Sequence, residues 1–385
     1  MNSESSRRSF LAAGLALPVA GVASAAQSPT PAPAPQQPKG PAGQLSYRTL
    51  GKTGMKVTTV GYGCMITSDA TVITRAVDMG INYFDTSRNY QNGQNERMVG
   101  AALGAKRKNI FLSSKCDEKT GAGILAELDT SLKELNTDHL DVWYLHGLGA
   151  AAQITDDLVE AQRKAKQQGK VRFIGVSTHT LPAIVDRVIE AKLDVVLAQY
   201  NFTSPEAYTA GLDKLNQAGV GLVAMKVMAR AGRRGPGAQP APPAPAGRQA
   251  AALKWVIKNR VVATTVPSMT DIDQLEENFS VMGQVFTDTD SKVLTAAFHE
   301  TRPYFCSMCG KCDGQCPKGL PARDLVRFVM YADGYGQFGL GRENFQRMSA
   351  EHQAIRCGDC ASCAIHCPNG VRVAEQAMRA QELFA

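Results

Sequence analysis

The sequence predicts an α/β protein: a (β/α)8, or TIM, barrel entered through an N-terminal β-hairpin and followed by a small cysteine-rich domain. Three observations predict it. Eight short apolar, β-branched runs recur between Val57 and Ser268 (VTTVGYG, NYFDTS, IFLSSK, DVWYLHG, VRFIGVS, VVLAQYN, VGLVAMKV and VATTVPS), ending in polar residues and alternating with amphipathic stretches. Eight such units in a little over 200 residues fit a closed barrel, which takes about 250, better than an open doubly wound sheet. Eight of the ten cysteines crowd between residues 306 and 367, while the first 300 residues hold only Cys64 and Cys116. Finally, 385 residues at 44 % hydrophobic and 20 % charged supply one large core and a smaller companion.

The elements follow in order. Residues 1–26 carry SRRSFL, Ser6 to Leu11, ahead of the apolar run LAAGLALPVAGVASA, and Ala23-Ser24-Ala25 supplies the small-residue pattern of a cleavage site. Paired Arg7 and Arg8, followed by Ser9, Phe10 and Leu11, resemble a twin-arginine signal, which implies a periplasmic or otherwise exported protein carried across already folded. Residues 27–44, with SPTPAPAPQQPKGPAG, are too rich in proline to bury a core and read as a spacer. The domain from 45 to 298 begins with two strand-like runs around Gly51 and Gly54, which read as a hairpin. In AGILAELDTSLKELN (Ala122 to Asn136) and TDDLVEAQRKAKQQG (Thr155 to Gly169), apolar residues repeat at helical spacing opposite a polar face. RAGRRGPGAQPAPPAPAGR, Arg230 to Arg248, interrupts the rhythm after the seventh run; a loop that closes over a cofactor and a plain insertion fit it equally well.

Composition also excludes partners. Beyond the leader no apolar stretch approaches the roughly 20 residues of a membrane span, so membrane attachment is expected only through an uncleaved signal. The net charge of +7 is not gathered into basic blocks interleaved with aromatics, so no nucleic-acid partner is expected.

In a barrel of this kind the chemistry gathers where strands end. NYFDTS brings Asp85, with Tyr90 five residues on; IFLSSK delivers Lys115, and DVWYLHG delivers His146. Singly, each has a plain explanation: a helix cap, a packed ring, a solvent-facing ammonium, a core histidine. Together they make a proton-donating set. An ammonium beside a phenol favours phenolate and lowers its pKa from about 10, and a carboxylate holds that ammonium in place. A neutral imidazole orients a carbonyl and steadies its oxygen as charge develops.

With its hairpin, its barrel rhythm and an NYFDT…Y…NG…E signature, the segment from Leu45 to about Phe298 resembles the aldo-keto reductase family. The resemblance implies hydride transfer between NADP or NAD and a small carbonyl or alcohol substrate. It implies Tyr90 as general acid in reduction and base in oxidation, Lys115 and Asp85 as its partners, and His146 as the carbonyl-orienting residue. It further implies carboxamide contacts from Ser177 and Gln199, adenine-side contacts from Ser268, Gln274, Glu277 and Asn278 in VPSMTDIDQLEEN, and Lys226 in the cofactor site. Three departures stand against it. Thr178 replaces the asparagine found after the serine in many members, and Met225 stands where an aromatic ring stacks on nicotinamide. No Lys or Arg lies between Pro267 and Asn278 to grip the extra phosphate of NADP, which leaves NAD open. Cys64 and Cys116 read as buried structural cysteines.

CSMCGKCDGQCP and CGDCASCAIHCP are two copies of C-x2-C-x2-C-x3-C-P. In that pattern three thiolates turn toward one cubic cluster while the fourth crosses to the other. Cys306, Cys309, Cys312 and Cys367 are therefore expected to hold one [4Fe-4S] centre, and Cys357, Cys360, Cys363 and Cys316 the second. Zinc draws separated pairs rather than quartets ending in Pro317 and Pro368, and disulfides are the other option in an exported chain. Residues 299–385 resemble a two-cluster bacterial ferredoxin with a helical insert between its motifs, which implies electron exchange with a redox partner protein. Thiolates loaded in a reducing cytoplasm need a folded crossing, so leader and cysteines support each other. The expectation is an exported oxidoreductase of the aldo-keto reductase type with two clusters for electron transfer. The alternative is an electron-transfer or redox-sensing module whose barrel binds a ligand or partner without nicotinamide-dependent turnover.

Overall fold

The computed structural model describes residues 43–230 and 247–385. The expected leader with Arg7 and Arg8, nearly all of the spacer, and the proline-rich stretch between residues 231 and 246 lie outside the described residues.

Strands β1 (Tyr47–Thr49) and β2 (Lys56–Thr58) pair antiparallel, Tyr47 opposite Thr58, as the expected hairpin. It plugs the floor of the barrel. Leu50, Met55 and Val57, none more than 3 % exposed, pack against inward-facing Tyr83, Val142, Tyr144, Val195, Leu197 and Val223. Arg48 ties the plug down by donating to the carbonyls of Ile257, Asn259 and Val262 at 2.6, 3.0 and 2.6 Å. The run Val57–Gly63, read as one strand, in fact divides. Val57 and Thr58 complete the hairpin, and the barrel begins only at β3 (Tyr62–Gly63).

Seven further parallel strands follow in chain order: β4 (Tyr83–Asp85), β5 (Phe111–Cys116), β6 (Leu140–Leu145), β7 (Val171–Thr178), β8 (Val195–Gln199), β9 (Gly221–Met225) and β10 (Thr264–Thr265). Parallel bridges from Val60 to Thr265 and from Gly63 to Ser268 join first to last, with the Gly63 N–H donating to the Pro267 carbonyl at 2.9 Å. Glycine is needed at this seam, because a Cβ on Gly63 would lie 2.5 Å from the Val266 carbonyl oxygen. Strands covered on both faces need apolar residues throughout, which is why the sequence shows them as nearly continuous runs. One buried carboxylate fastens three of them: Asp141 accepts from the Leu112 N–H at 2.9 Å and pairs with Arg172 at 2.7 Å and Arg107 at 3.0 Å.

Helices α1 (Ala70–Asp78), α2 (Gln94–Leu103), α3 (Gly121–Glu134), α4 (Asp156–Gln167), α5 (Val185–Glu190), α6 (Glu206–Gln217) and α7 (Arg248–Lys258) fill the connections, and α8 (Ile272–Ser280) follows the last strand. Side chains set where they start. Asp69, Thr120, Thr155 and Asp271 accept from the N–H groups of Thr71, Gly123, Leu158 and Gln274, satisfying donors that a helix cannot satisfy itself.

Helix α9 (Asp288–Thr301) leads into the cysteine-rich tail, which is helical: α10 (Ala322–Val329), α11 (Phe338–Gln346), α12 (Ala350–Ala354) and α13 (Val373–Phe384). The first, second and third of these form the insert expected between the motifs. Helix α10 is buried on two sides. Leu325, Phe328 and Val329 pack with Phe345, Ala377 and Phe384, while Ala322 and Val326 join Phe305, Met308 and the barrel residue Ala229. Barrel and tail belong to one compact unit. Among the described residues, no helix is long and apolar enough to cross a membrane.

Candidate active site and cluster cradles

Strand ends bring the expected catalytic set together. Strand β4 presents Asp85 and β5 presents Lys115, their side chains 5 % and 1 % exposed, with Lys115 Nζ 2.6 Å from Asp85 Oδ2. Nζ also donates to the Thr86 carbonyl at 2.6 Å, and Ser113 Oγ donates to the other carboxylate oxygen at 2.7 Å. Tyr90 opens the turn after β4 and holds its ring centre 4.6 Å from Nζ. His146, one residue past β6, meets Tyr90 edge-on with ring centres 6.0 Å apart, and its Nδ1 lies 2.9 Å from Asp117 Oδ1. Asp117 was not among the expected residues, although it stands at the end of β5 where the same strand-end argument finds Lys115.

The electrostatics correct two expectations. Burial pushes the Tyr90 phenol up, the pull of Lys115 does not offset it, and the result is about 12. The phenol is therefore not acidified, because the ring loses water while the ammonium is already shared with Asp85. Burial works against the Lys115 charge, yet Asp85 and Tyr90 outweigh it and raise its pKa. Burial lowers the pKa of His146 in spite of Asp117, so the imidazole is neutral. With its proton on Nδ1 facing Asp117, a neutral ring keeps Nε2 as an acceptor. The donor to a carbonyl oxygen in this set is then Tyr90, not His146.

The Lys115–Asp85 pair also has a structural consequence. Replacing Lys115 with methionine strands a buried carboxylate and should lower stability by about 3–5 kcal/mol, read as a fall in the denaturation midpoint. The double variant Lys115→Met, Asp85→Asn should recover much of that loss. A single variant as stable as the parent would show that the pair is not what holds these strand ends.

A groove with about 900 Å³ of empty space runs from Asp85 and Tyr90 past Met225, Lys226 and Ser268 to Gln274, Glu277 and Asn278. Five of the expected cofactor residues thus share a wall with the catalytic set. Arg230 lies on the same groove and pulls against the burial that raises the Glu277 carboxyl. Arg230 comes from the loop after β9 and so lies outside the Pro267–Asn278 segment, which has no cation of its own. Ser177 and Gln199 do not line this groove; each makes contacts within the protein. Ser177 Oγ accepts from the Gly147 N–H at 2.8 Å. Gln199 Oε1 lies 3.1 Å from His179 Nδ1, and its Nε2 points to the Ser307 carbonyl at 3.4 Å. Ser307 belongs to the first cysteine motif, and Tyr208 Oη also reaches its carbonyl, at 3.3 Å. The tail has come down on the end of β8.

The cysteines ring two cavities in the crossed pattern. Cys306, Cys309, Cys312 and Cys367 line one with about 340 Å³ of empty space, and Cys316, Cys357, Cys360 and Cys363 line another with about 790 Å³. In the wall of the first, Arg323 Nε is buried without a hydrogen-bond partner, and Asn369 Nδ2 lies 3.5 Å from Cys309 Sγ. Arg323 Nη1 pairs with Asp313 at 2.8 Å; its unpartnered Nε and the Asn369 amide, beside four cysteines, fit an anionic iron-sulfur cluster. Lys318 and Arg356 line the second cradle, where Cys360 and Cys363 are exposed. Cys64 and Cys116 are 0 % and 2 % exposed, as structural cysteines should be. None of the ten cysteines is bridged to another.

Comparison with known proteins agrees with this geometry. Residues 65–250 match the Aldo/keto reductase family, and residues 305–371 match a 4Fe-4S dicluster domain. Among curated proteins, L-galactose dehydrogenase of Arabidopsis thaliana is 28 % identical over 285 residues, covering 63 % of this chain and 89 % of the relative. The uncharacterized oxidoreductase YqkF of Bacillus subtilis is 29 % identical over 174 residues, covering 41 % of this chain and 56 % of the relative. Among solved structures, the holo form of an aldo-keto reductase from Bacillus halodurans superposes with a TM-score of 0.57 at 24 % identity, covering 66 % of this chain and 96 % of the other. An aldo-keto reductase from Klebsiella pneumoniae in complex with NADPH does so with a TM-score of 0.54 at 21 % identity, covering 66 % and 95 %. These two likenesses are of fold. Residues 65–250 thus correspond to an aldo/keto reductase domain and residues 305–371, behind them, to a 4Fe-4S dicluster domain.

Proposed function

We propose that the protein is an exported oxidoreductase whose barrel moves hydride between a nicotinamide dinucleotide and a small carbonyl or alcohol, while two [4Fe-4S] clusters exchange electrons with a partner protein. The observation that carries this reading is the Asp85–Lys115–Tyr90 arrangement opening onto the groove. In reduction, Tyr90 holds a proton at Oη and passes it to the carbonyl oxygen as negative charge builds there; in oxidation it takes the proton back. Lys115, fixed by Asp85 and the Thr86 carbonyl, steadies the phenolate left behind. The neutral His146 ring, edge-on to Tyr90, bounds the space in which the reacting oxygen sits. Ser268, Gln274, Glu277 and Asn278 would hold the dinucleotide, which supplies or removes the hydride when bound. Arg230 on the same groove gives the extra phosphate of NADP a cation, so NADP is the preferred form. The crossed cysteine quartets would hold the clusters, which supply one-electron transfer. Paired Arg7 and Arg8 ahead of an apolar run support export by the twin-arginine route.

A second reading, a relay whose barrel binds a ligand without turnover, draws support from Gln199 and Ser177, whose polar groups are used within the protein. Mixing anaerobic, cluster-loaded protein with NADPH or NADH and a panel of aldehydes and ketones separates the two. Cofactor oxidation that depends on the carbonyl is expected. No oxidation with any carbonyl, with clusters reducible only by another protein, would replace the first reading by the second.

A further inference from the structure

Two cations at the barrel mouth meet sulfur and phenol rather than carboxylates. Lys226, in the left-handed conformation at φ 57°, sets Nζ 3.7 Å from Met65 Sδ and 5.2 and 5.1 Å from the ring centres of Tyr331 and Tyr335. Arg327 Nε donates to Tyr331 Oη at 2.6 Å, with the guanidinium carbon 5.5 Å from the same ring. Arg327, Tyr331 and Tyr335 all come from the tail. Arg323, one turn earlier on α10, lines the first cluster cradle; Arg327 lines neither that cradle nor the groove itself and stands beside the groove through Tyr331. Tyr335 lines the groove alongside Tyr90 and Lys226, and its hydroxyl is buried with no hydrogen-bond partner.

The positive field reaches the catalytic set. Lys226, His146 and His179 are all pushed down, first by burial and then with Arg327 contributing. Burial favours the neutral Tyr331 phenol, yet Arg327 and Lys226 outweigh it and lower its pKa. Asp324, one turn back on α10, offsets part of the Arg327 charge; cations whose nearest contacts are sulfur and phenol, beside a hydroxyl without a partner, still gain when an anion enters.

We propose that Lys226 and the Tyr335 hydroxyl, with Arg327 held beside them by Tyr331, form a carboxylate-recognising wall, so that the substrate is an aldehyde or ketone that also bears a carboxylate. This rests on the hydride-transfer reading and adds the substrate class. The tail is then part of the substrate site as well as a carrier of cysteines.

The test compares 4-carboxybenzaldehyde with its methyl ester, which share a ring and an aldehyde and differ in charge. The parent should favour the acid in kcat/KM by about 10- to 100-fold, the range of a lost charge-assisted contact. Arg327→Gln should remove most of that preference through KM, and Arg327→Lys should restore part of it. Visible cluster absorption reports that each variant is folded and loaded; if Arg327→Gln loses it, Lys226→Gln on the barrel side carries the test with the same expected collapse. A parent ratio near one, or a ratio unchanged in a cluster-loaded Arg327→Gln, overturns the proposal while leaving hydride transfer intact. If neither aldehyde is turned over, calorimetric titration of the two decides. Tighter binding of the acid supports the wall although the hydride-transfer reading has failed, and equal binding overturns it.

Discussion

Replacing Tyr90 with phenylalanine should lower kcat/KM for NADPH-dependent carbonyl reduction by about 10²- to 10⁴-fold, the usual contribution of a positioned general acid. The substitution removes one oxygen from a ring packed between Lys115 and His146. Cluster absorption and cofactor binding should therefore survive, so the loss would lie in proton transfer rather than in folding. The pH profile sharpens the test. With its pKa pushed up to about 12 by burial, the phenol remains protonated across the working range. Reduction needs the protonated form, so its rate should stay level between about pH 7 and 10. Oxidation needs the phenolate, so its rate should climb about tenfold per pH unit over the same interval. A break in the reduction profile near neutrality, with Tyr90→Phe still active, would move the acid role to another residue, His146 first.

The cysteines offer the second large effect. Cys367→Ala should behave like Cys306→Ala and unlike Cys357→Ala, although Cys357 is its neighbour in sequence, because Cys367 lines the cradle of the first motif. Cys316→Ala should in turn group with Cys357→Ala. For each variant iron should fall from about eight to about four atoms per chain, and the paramagnetic signal of two interacting reduced clusters should simplify to that of one. The barrel discriminates the two groups. Loss of the first cluster frees the loop that holds Ser307 against Gln199 and Tyr208, so carbonyl turnover should fall further there than after loss of the second. Iron loss that follows motif membership instead of the crossed pattern would refute the assignment.

How much of this was legible beforehand follows from where the determining interactions lie along the chain. Asp85, Lys115 and His146 could be read because each ends its own apolar run, and parallel pairing of β4, β5 and β6 fixes their adjacency once the barrel is recognised. The crossed cysteine quartets could be read because the spacing itself encodes which thiolate turns away. The phenol was misjudged for a different reason. Sequence names the cation beside it but not how much water the fold removes, and burial proved the larger influence. The contact of Gln199 with the Ser307 carbonyl is not legible in the sequence because the two stand 108 positions apart. Arg327 and Tyr331 stand four apart on a helical segment whose sequence gives no sign that one side faces a barrel. The packing of Val326 and Met330 with Ala229, and of Tyr331 with Met65, brings them there.

The interleaving of the two motifs sets an order of events during biosynthesis. Neither metal cage can be completed while the chain is still short of its second motif: the first lacks Cys367 and the other lacks Cys357, Cys360 and Cys363. Iron loading at either cradle would therefore wait until the second motif has been made, and a product cut short of that motif would have a barrel sequence but no closed cage for iron.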